Sequence, residues 1–532
     1  MAGHDAPLSG PDLAAGVQVS DVPEEGTLLG QVHGESVVMV RSRGEVFAVG
    51  ATCSHYGGPL AEGIVADGTI RCPWHHAAFD LGTGESLRPP ALKDIPCWKV
   101  DVRDGVARVG AKHPPGEAIT LAPETAARRA SGRPVAGHRT DWPESVIIVG
   151  GGAAGECAAE TLRREGYDRP IAIVEAGPDA PVDRPNLSKD YLAGTAPEDW
   201  IPLRPAAFYA DHDIELVPGR RAMSLEARER RVLLDDGSAR SFGALLIATG
   251  ATPVRLQFAG TGQPVHYLRA LGDARAIIDA ARHARNAVVI GASFIGLEVA
   301  ASLRARQLPV TVVAPEWHPM ERVLGAELGD FVLGLHRDHG VDFRLGQTAT
   351  AVSDRRVITS QHDQLRADLV VAGIGVRPNV ELAERAGLAL DRGILVDEYL
   401  TTSAPGVFAA GDVARYPDRI TGERVRVEHW VVAQRQGQTA ARNILGAHEP
   451  FDSVPFFWSQ HYDVTIGYVG HAERWDVVVI DGNLAARDAT VSYSRGARVL
   501  ATATVGRDQA GLRAERRLES MLVQPAAGAA TT

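Results

Sequence analysis

The stretch SVIIVGGGAAGECAAETLRREG, residues 145–166, places an apolar run, three consecutive glycines and a segment of helical period in direct succession. The spacing Gly150-x-Gly152-x-x-Gly155 at such a junction allows a tight turn and close approach of backbone N–H groups to a pyrophosphate, with the positive helix end facing the phosphates. An acid about 20 residues later should bind a ribose hydroxyl, and Glu175, closing the run IAIVE, stands there. The pattern returns in AVVIGASFIGLEVAASLRARQ, residues 287–307, with Gly291, Ser293 and Gly296 and with Glu316 after the next apolar run. Ser293 takes the place of the middle glycine. Two nucleotide-binding α/β units are therefore expected. No arginine adjoins Glu316 to receive a 2′-phosphate, which favours NADH over NADPH for the second unit.

Upstream the pattern is different. From about residue 17 to 110, short apolar runs alternate with turn signals, as in a small all-β unit, and residues 113–142 are rich in Pro, Ala, Gly and Arg, a linker composition. Inside the β unit lie CSHYGGPL, residues 53–60, and CPWHHAAFD, residues 72–80. Cys53, His55, Cys72 and His75 are two soft thiolates and two imidazoles. They suit either a tetrahedral zinc ion or a [2Fe-2S] cluster with the two Cys on one iron and the two His on the other. Structural zinc sites usually draw like ligands from one turn, whereas here each loop offers one of each kind, which favours the cluster.

With 532 residues there is room for about three or four domains. A net charge of −11 argues against nucleic-acid or anionic-membrane partners. No run approaches the roughly 20 apolar residues of a membrane span, no secretory leader is visible, and four cysteines make no disulfide framework. These features point to a cytoplasmic protein. Cys97 and Cys157 form no redox-active pair, which excludes thiol–disulfide chemistry. His336 and His339, in LHRDHG, are expected to be solvated helix residues, and Trp458 to belong to the core of a C-terminal domain.

About 95 residues, within 15–112, resemble the Rieske ferredoxin family through GGPL after the first ligand pair and CPWHxAxFDLxTGE around the second. That family implies the cluster. Its high-potential members have cysteines where this chain has Gly58 and Trp74, and Ser and Tyr where it has Ala77 and Phe79; without those hydroxyls a low-potential cluster is expected. Gly is usual at the position of His76, a difference the sequence does not explain.

From residue 143 onward the chain is similar to the flavin-dependent ferredoxin reductases and apoptosis-inducing-factor-like flavoproteins, through GGGAAG, DRPNLSKDYL, ATG, GASFIGLE, GIGVRPN, AAGDVA, EHW and FFWSQHYD. The resemblance implies FAD on the first glycine motif, held by Gly150, Gly152, Ala154, Gly155, Glu175, Arg184, Lys189, Thr249, Gly250, Gly411, Asp412, His429 and Trp430. It implies NAD on Gly291, Ser293, Phe294, Ile295, Gly296, Glu316 and Gly375. Lys189 and Glu298 would form a pair beside the flavin N5, and Trp430 would lie by the isoalloxazine.

The expected architecture is multidomain. It comprises an all-β Rieske domain (15–112), the linker (113–142), a two-Rossmann flavoprotein with an FAD domain (143–268 and 388–450) and an NAD domain (269–387), and an α+β C-terminal domain (451–524). The expected function is NADH-dependent reduction of FAD, then of the chain's own cluster, then of an oxygenase, ferredoxin or cytochrome. Direct action on a small organic substrate and NADH-responsive signalling are the alternatives. A homodimer is compatible with the sequence.

Overall fold

The computed structural model describes residues 9–113, 139–257 and 263–523; most of the expected linker lies outside them. The chain forms two compact units, Met1–Val135 with Arg507–Thr532, and Ala136–Gly506. It thus leaves the first unit, builds the whole of the second, and returns.

In the first unit, a six-stranded antiparallel sheet runs in the order Val17–Gln18, Val106–His113, Cys97–Arg103, Glu45–Gly50, Glu35–Ser42, Gly26–Val32. Four short strands, Ile64–Ala66, Thr69–Arg71, Ala78–Asp80 and Ser86–Arg88, form a second antiparallel sheet. Val38, Val40, Phe47 and Val49 from the first sheet meet Ile70, Phe79 and Leu81 in one core that also encloses Cys53 and Cys72. The two loops carrying the expected ligands rise from this shared core. The final helix, Asp508–Val523, packs on the same unit, with Leu512 and Leu518 buried. Of the expected C-terminal domain, the strands group with the second unit and the helix with the first.

The second unit contains the two expected α/β layers. One parallel sheet runs Ile214–Pro218, Ile171–Glu175, Val146–Val149, Ala244–Ile247, Val407–Ala409. The other runs Val341–Leu345, Val310–Ala314, Ala287–Ile290, Leu369–Ala372. The central strands VIIV and AVVI are buried along their whole length, as parallel strands covered on both faces must be. Each layer also has a three-stranded antiparallel flap, at 222–241 and 349–366. A five-stranded antiparallel sheet beginning with Phe456–His461 and Val464–Gly470 completes the unit.

Candidate redox centres

In the first unit the two ligand loops are built alike. The Cys53 N–H donates to the Gly58 carbonyl, and the Cys53 carbonyl accepts from the Gly57 N–H. The Cys72 N–H donates to Ala77 and the Cys72 carbonyl accepts from His76. Both loops therefore fold back on themselves, and His76 falls where the other loop has Gly57. Both residues are left-handed, with φ of 61° and 79°. That conformation is costly for a side chain, which is why His76 stands out in the sequence. Its ring is 2% exposed and its Nδ1 lies 2.9 Å from the Glu515 carboxylate of the final helix. Arg71 and Arg88 face Glu515 and Glu519 from the same side, at 2.7 to 3.8 Å.

The four expected ligands come together as like pairs. His55 Nδ1 and His75 Nδ1 are 3.1 Å apart, and the Cys53 and Cys72 thiols share a hydrogen bond that pushes Cys53 up and Cys72 down. Burial pushes the His55 imidazole down to about 3, which keeps it neutral, the form that binds metal. Among the described residues no three His, Cys, Asp or Glu side chains form a ready cage for a single ion. Two thiols beside two imidazoles are a donor set that fits a [2Fe-2S] cluster of mixed ligation. Trp74 is 40% exposed and edges His75.

In the second unit a cavity of about 210 Å³ opens over the first glycine turn. Gly152, Ala154, Arg184, Lys189, Gly250, Phe294, Ile295, Glu298, Gly411, Asp412, His429 and Trp430, all expected from the sequence, line it. The turn needs its glycines: a Cβ on Gly150, at φ 109°, would lie 2.2 Å from the Ala248 carbonyl oxygen. Glu175 receives the N–H groups of Gly151 and Gly177 at 2.7 and 3.0 Å, which fixes its carboxylate at the strand end. Arg184 lies over Gly152, and burial, then Arg269, lowers its guanidinium to about 10. Arg269 pairs with Asp412 at 2.7 Å while its buried Nε has no partner. Two crowded guanidiniums above a glycine turn fit a dianionic pyrophosphate such as that of FAD.

Other expected positions are occupied differently. Thr249 is held by Asn379, its Oγ1 donating to the Asn379 carbonyl and its own carbonyl accepting from the side-chain amide, each at 2.8 Å. It secures the loop under the cavity. Glu316 has a nearby arginine after all, Arg322, at 3.5 Å, from the following helix. Ser293 caps the second glycine-turn helix, its Oγ accepting from the Gly296 N–H and donating to the Gly373 carbonyl at 2.7 Å. That double use accounts for serine in place of glycine. Gly375, at φ 102°, receives the Val254 N–H through its carbonyl.

Sequence reasoning missed Arg269, Phe457 and Trp458, all of which line the cavity, as does Ser188 of the RPNLSK segment. Trp458 was expected in a core; strand alternation turns it to the face opposite Phe457 and Ser459 and leaves it partly exposed. Lys189 Nζ lies 2.8 Å from Glu298 Oε2, as expected. Glu298 also accepts from Ser188 Oγ and Ser459 Oγ, each at 2.6 Å. His336 is not solvated: it is fully buried, 3.1 Å from His461.

A parallel two-layer nucleotide fold with one cavity at its glycine turn, in a chain that also carries a paired Cys/His β unit, defines a flavoprotein oxidoreductase with an iron–sulfur domain. The pyridine nucleotide-disulphide oxidoreductase family model matches residues 144–437, the Rieske [2Fe-2S] domain model 14–99 and the reductase C-terminal model 456–531. The chain belongs to the pyridine nucleotide-disulphide oxidoreductase family and carries a Rieske domain, with FAD, NADH and a [2Fe-2S] cluster as its cofactors. It is 34% identical to human apoptosis-inducing factor 3 over 484 residues, covering 89% of this chain and 78% of that protein. It is 37% identical to rhodocoxin reductase of Rhodococcus erythropolis over 68% of this chain and 86% of the relative. The solved putidaredoxin reductase–putidaredoxin complex superposes with a TM-score of 0.68 at 35% identity, over 71% of this chain and 93% of that one.

Proposed function

We propose that this protein takes a hydride from NADH at its flavin and passes the two electrons singly to its own Rieske cluster and from there to a one-electron acceptor, a ferredoxin, cytochrome or oxygenase. The observation that carries this reading is one chain containing both a dinucleotide cavity with the Lys189–Glu298 pair and two matched Cys/His loops. FAD supplies the conversion of a two-electron donor into one-electron steps when bound.

The chain's own residues divide the work. The first glycine turn, Glu175, Arg184, Arg269 and Asp412 hold the FAD, and Ser293, Gly296 and Glu316 hold NADH. Phe294 and Ile295, at the start of the second glycine-turn helix, face the cavity, and Lys189, fixed by Glu298, orients the nicotinamide and steadies negative charge. Trp430 begins the helix Trp430–Ile444 at the cavity mouth. Cys53, His55, Cys72 and His75 hold the cluster, with Ala77 and Phe79 offering no hydroxyl to its sulfurs. Covalent linkage keeps the acceptor at high effective concentration, and the first unit is connected to the reductase unit twice, after Val135 and before Arg507. No disulfide joins the four buried cysteines, which suits the reducing cytoplasm; a homodimer is compatible with this scheme.

Anaerobic titration with NADH, followed by absorbance and EPR, tests this reading. Flavin bleaching together with a Rieske signal is expected. Bleaching with a permanently oxidised cluster overturns it.

A further inference from the structure

A line of buried polar side chains leads away from the cavity wall. Glu298 Oε1 accepts from Ser459 Oγ at 2.6 Å; Ser459 Oγ is 3.1 Å from His461 Nε2; His461 Nδ1 is 3.1 Å from His336 Nε2; and His336 Nδ1 is 3.3 Å from the Tyr462 hydroxyl. Ser459, His461 and His336 are at most 1% exposed. Tyr462 is half-buried and stacks on His339 at 3.6 Å, at the end of the helix Glu321–Asp338. Strand alternation places Ser459 and His461 on one face, and the last turn of that helix supplies His336.

Every proton in the chain has an assigned place. Lys189, Ser188 and Ser459 all donate to the Glu298 carboxylate. Ser459 has only one proton to donate, so its oxygen must accept from the His461 Nε2–H. His461 Nδ1 then accepts from the His336 Nε2–H, and His336 Nδ1 from the Tyr462 O–H. Burial holds both imidazoles neutral, His461 at about 3 and His336 well below its ordinary value. A neutral imidazole has one donor and one acceptor, as a relay requires. Besides these groups, the charges facing the line are Lys189 at the inner end and Arg304 and Asp463 near Tyr462 and His339.

We infer that Tyr462, His336, His461 and Ser459 form a proton relay between solvent and Glu298, which lets the flavin cavity exchange a proton with water in step with its change of charge. This rests on the NADH oxidoreductase reading. Hydride delivery brings one negative charge into the cavity. Tyr462 then gives its proton to His336 Nδ1 and takes one from water, His336 Nε2–H passes to His461 Nδ1, His461 Nε2–H to Ser459, and Ser459 O–H to Glu298. Every donor now points outward, so the same line is set to return the proton when the two electrons leave. The balance is NADH → NAD⁺ + H⁺ + 2 e⁻, with the relay proton taken up and given back. Ser459, His461, His336 and Tyr462 act through Glu298 and are positioning residues.

The test mixes the holoenzyme anaerobically with NADH in weak buffer containing a pH-indicator dye, reading flavin bleaching and proton uptake together. In the native protein uptake should accompany bleaching. In His461→Gln, which keeps hydrogen bonds but cannot relay, and in the milder Tyr462→Phe, bleaching should persist while uptake slows by about 100-fold, the lower range for a positioned proton transfer. Added imidazole should restore uptake in His461→Ala. Independently of turnover, ¹⁵N-histidine NMR should show two neutral rings that shift together on Ser459→Ala. Native-rate uptake in both variants, or two rings that titrate separately near neutral pH, overturns the relay. Failure of the native flavin to bleach overturns the oxidoreductase reading instead, and the relay with it.

Discussion

His76 and Glu515 are 439 positions apart in the chain and 2.9 Å apart in the fold, both within the first unit. The second cluster loop is thus held by a side chain contributed after the entire reductase portion has been made. Glu515 is fully buried opposite His76, Arg71 and Arg88.

Glu515→Ala should therefore destabilise the first unit by about 3–5 kcal/mol, the cost of leaving a buried charge cluster without its partner. Glu519→Ala, at a more exposed position, should cost clearly less. Denaturant unfolding followed by loss of the cluster chromophore measures both. Equal, small effects would show that the final helix does not support the loop.

Cys53→Ser or His55→Ala should abolish the Rieske EPR signal and leave NADH-dependent flavin bleaching within about twofold of native, because the two donor sets belong to separate units and share no residue. Retention of the cluster in both variants would remove those residues from the ligand set.

Glu156 is buried, and burial first, then Glu160, raises its carboxyl to about 8. An acid whose pKa is higher folded than unfolded holds more protons in the native state, so stability falls as pH rises between the two values. Native reductase should lose stability between about pH 5 and pH 8 through this group, and Glu156→Gln should flatten the decline. Denaturation midpoints at the two ends of that range give the slope.

Ser293→Ala removes the cap of the second glycine-turn helix and should cost about 1 kcal/mol, whereas Ser293→Gly should cost only a few tenths. Thermal unfolding separates them, and a parallel rise in the KM for NADH in the alanine variant would tie the cap to dinucleotide binding. Identical behaviour of the two variants would remove the capping role.

The local patterns in the sequence were enough for the glycine turns, the strand-end acid Glu175 and the paired Cys/His loops, because each depends on residues a few positions apart whose backbone conformation and ligand chemistry are set locally. Lys189 and Glu298 were also legible, although only through resemblance to a family. Periodicity failed for His336, expected in solvent yet fully buried, because the strand that covers it carries His461, 125 positions downstream. For the final helix the sequence pattern shows that one face is buried but not against which unit. Burial and hydrogen-bond partnership across long sequence separations belong to the packed fold. That is why the partner of His76 and the line of groups behind Glu298 were decided by the tertiary structure alone.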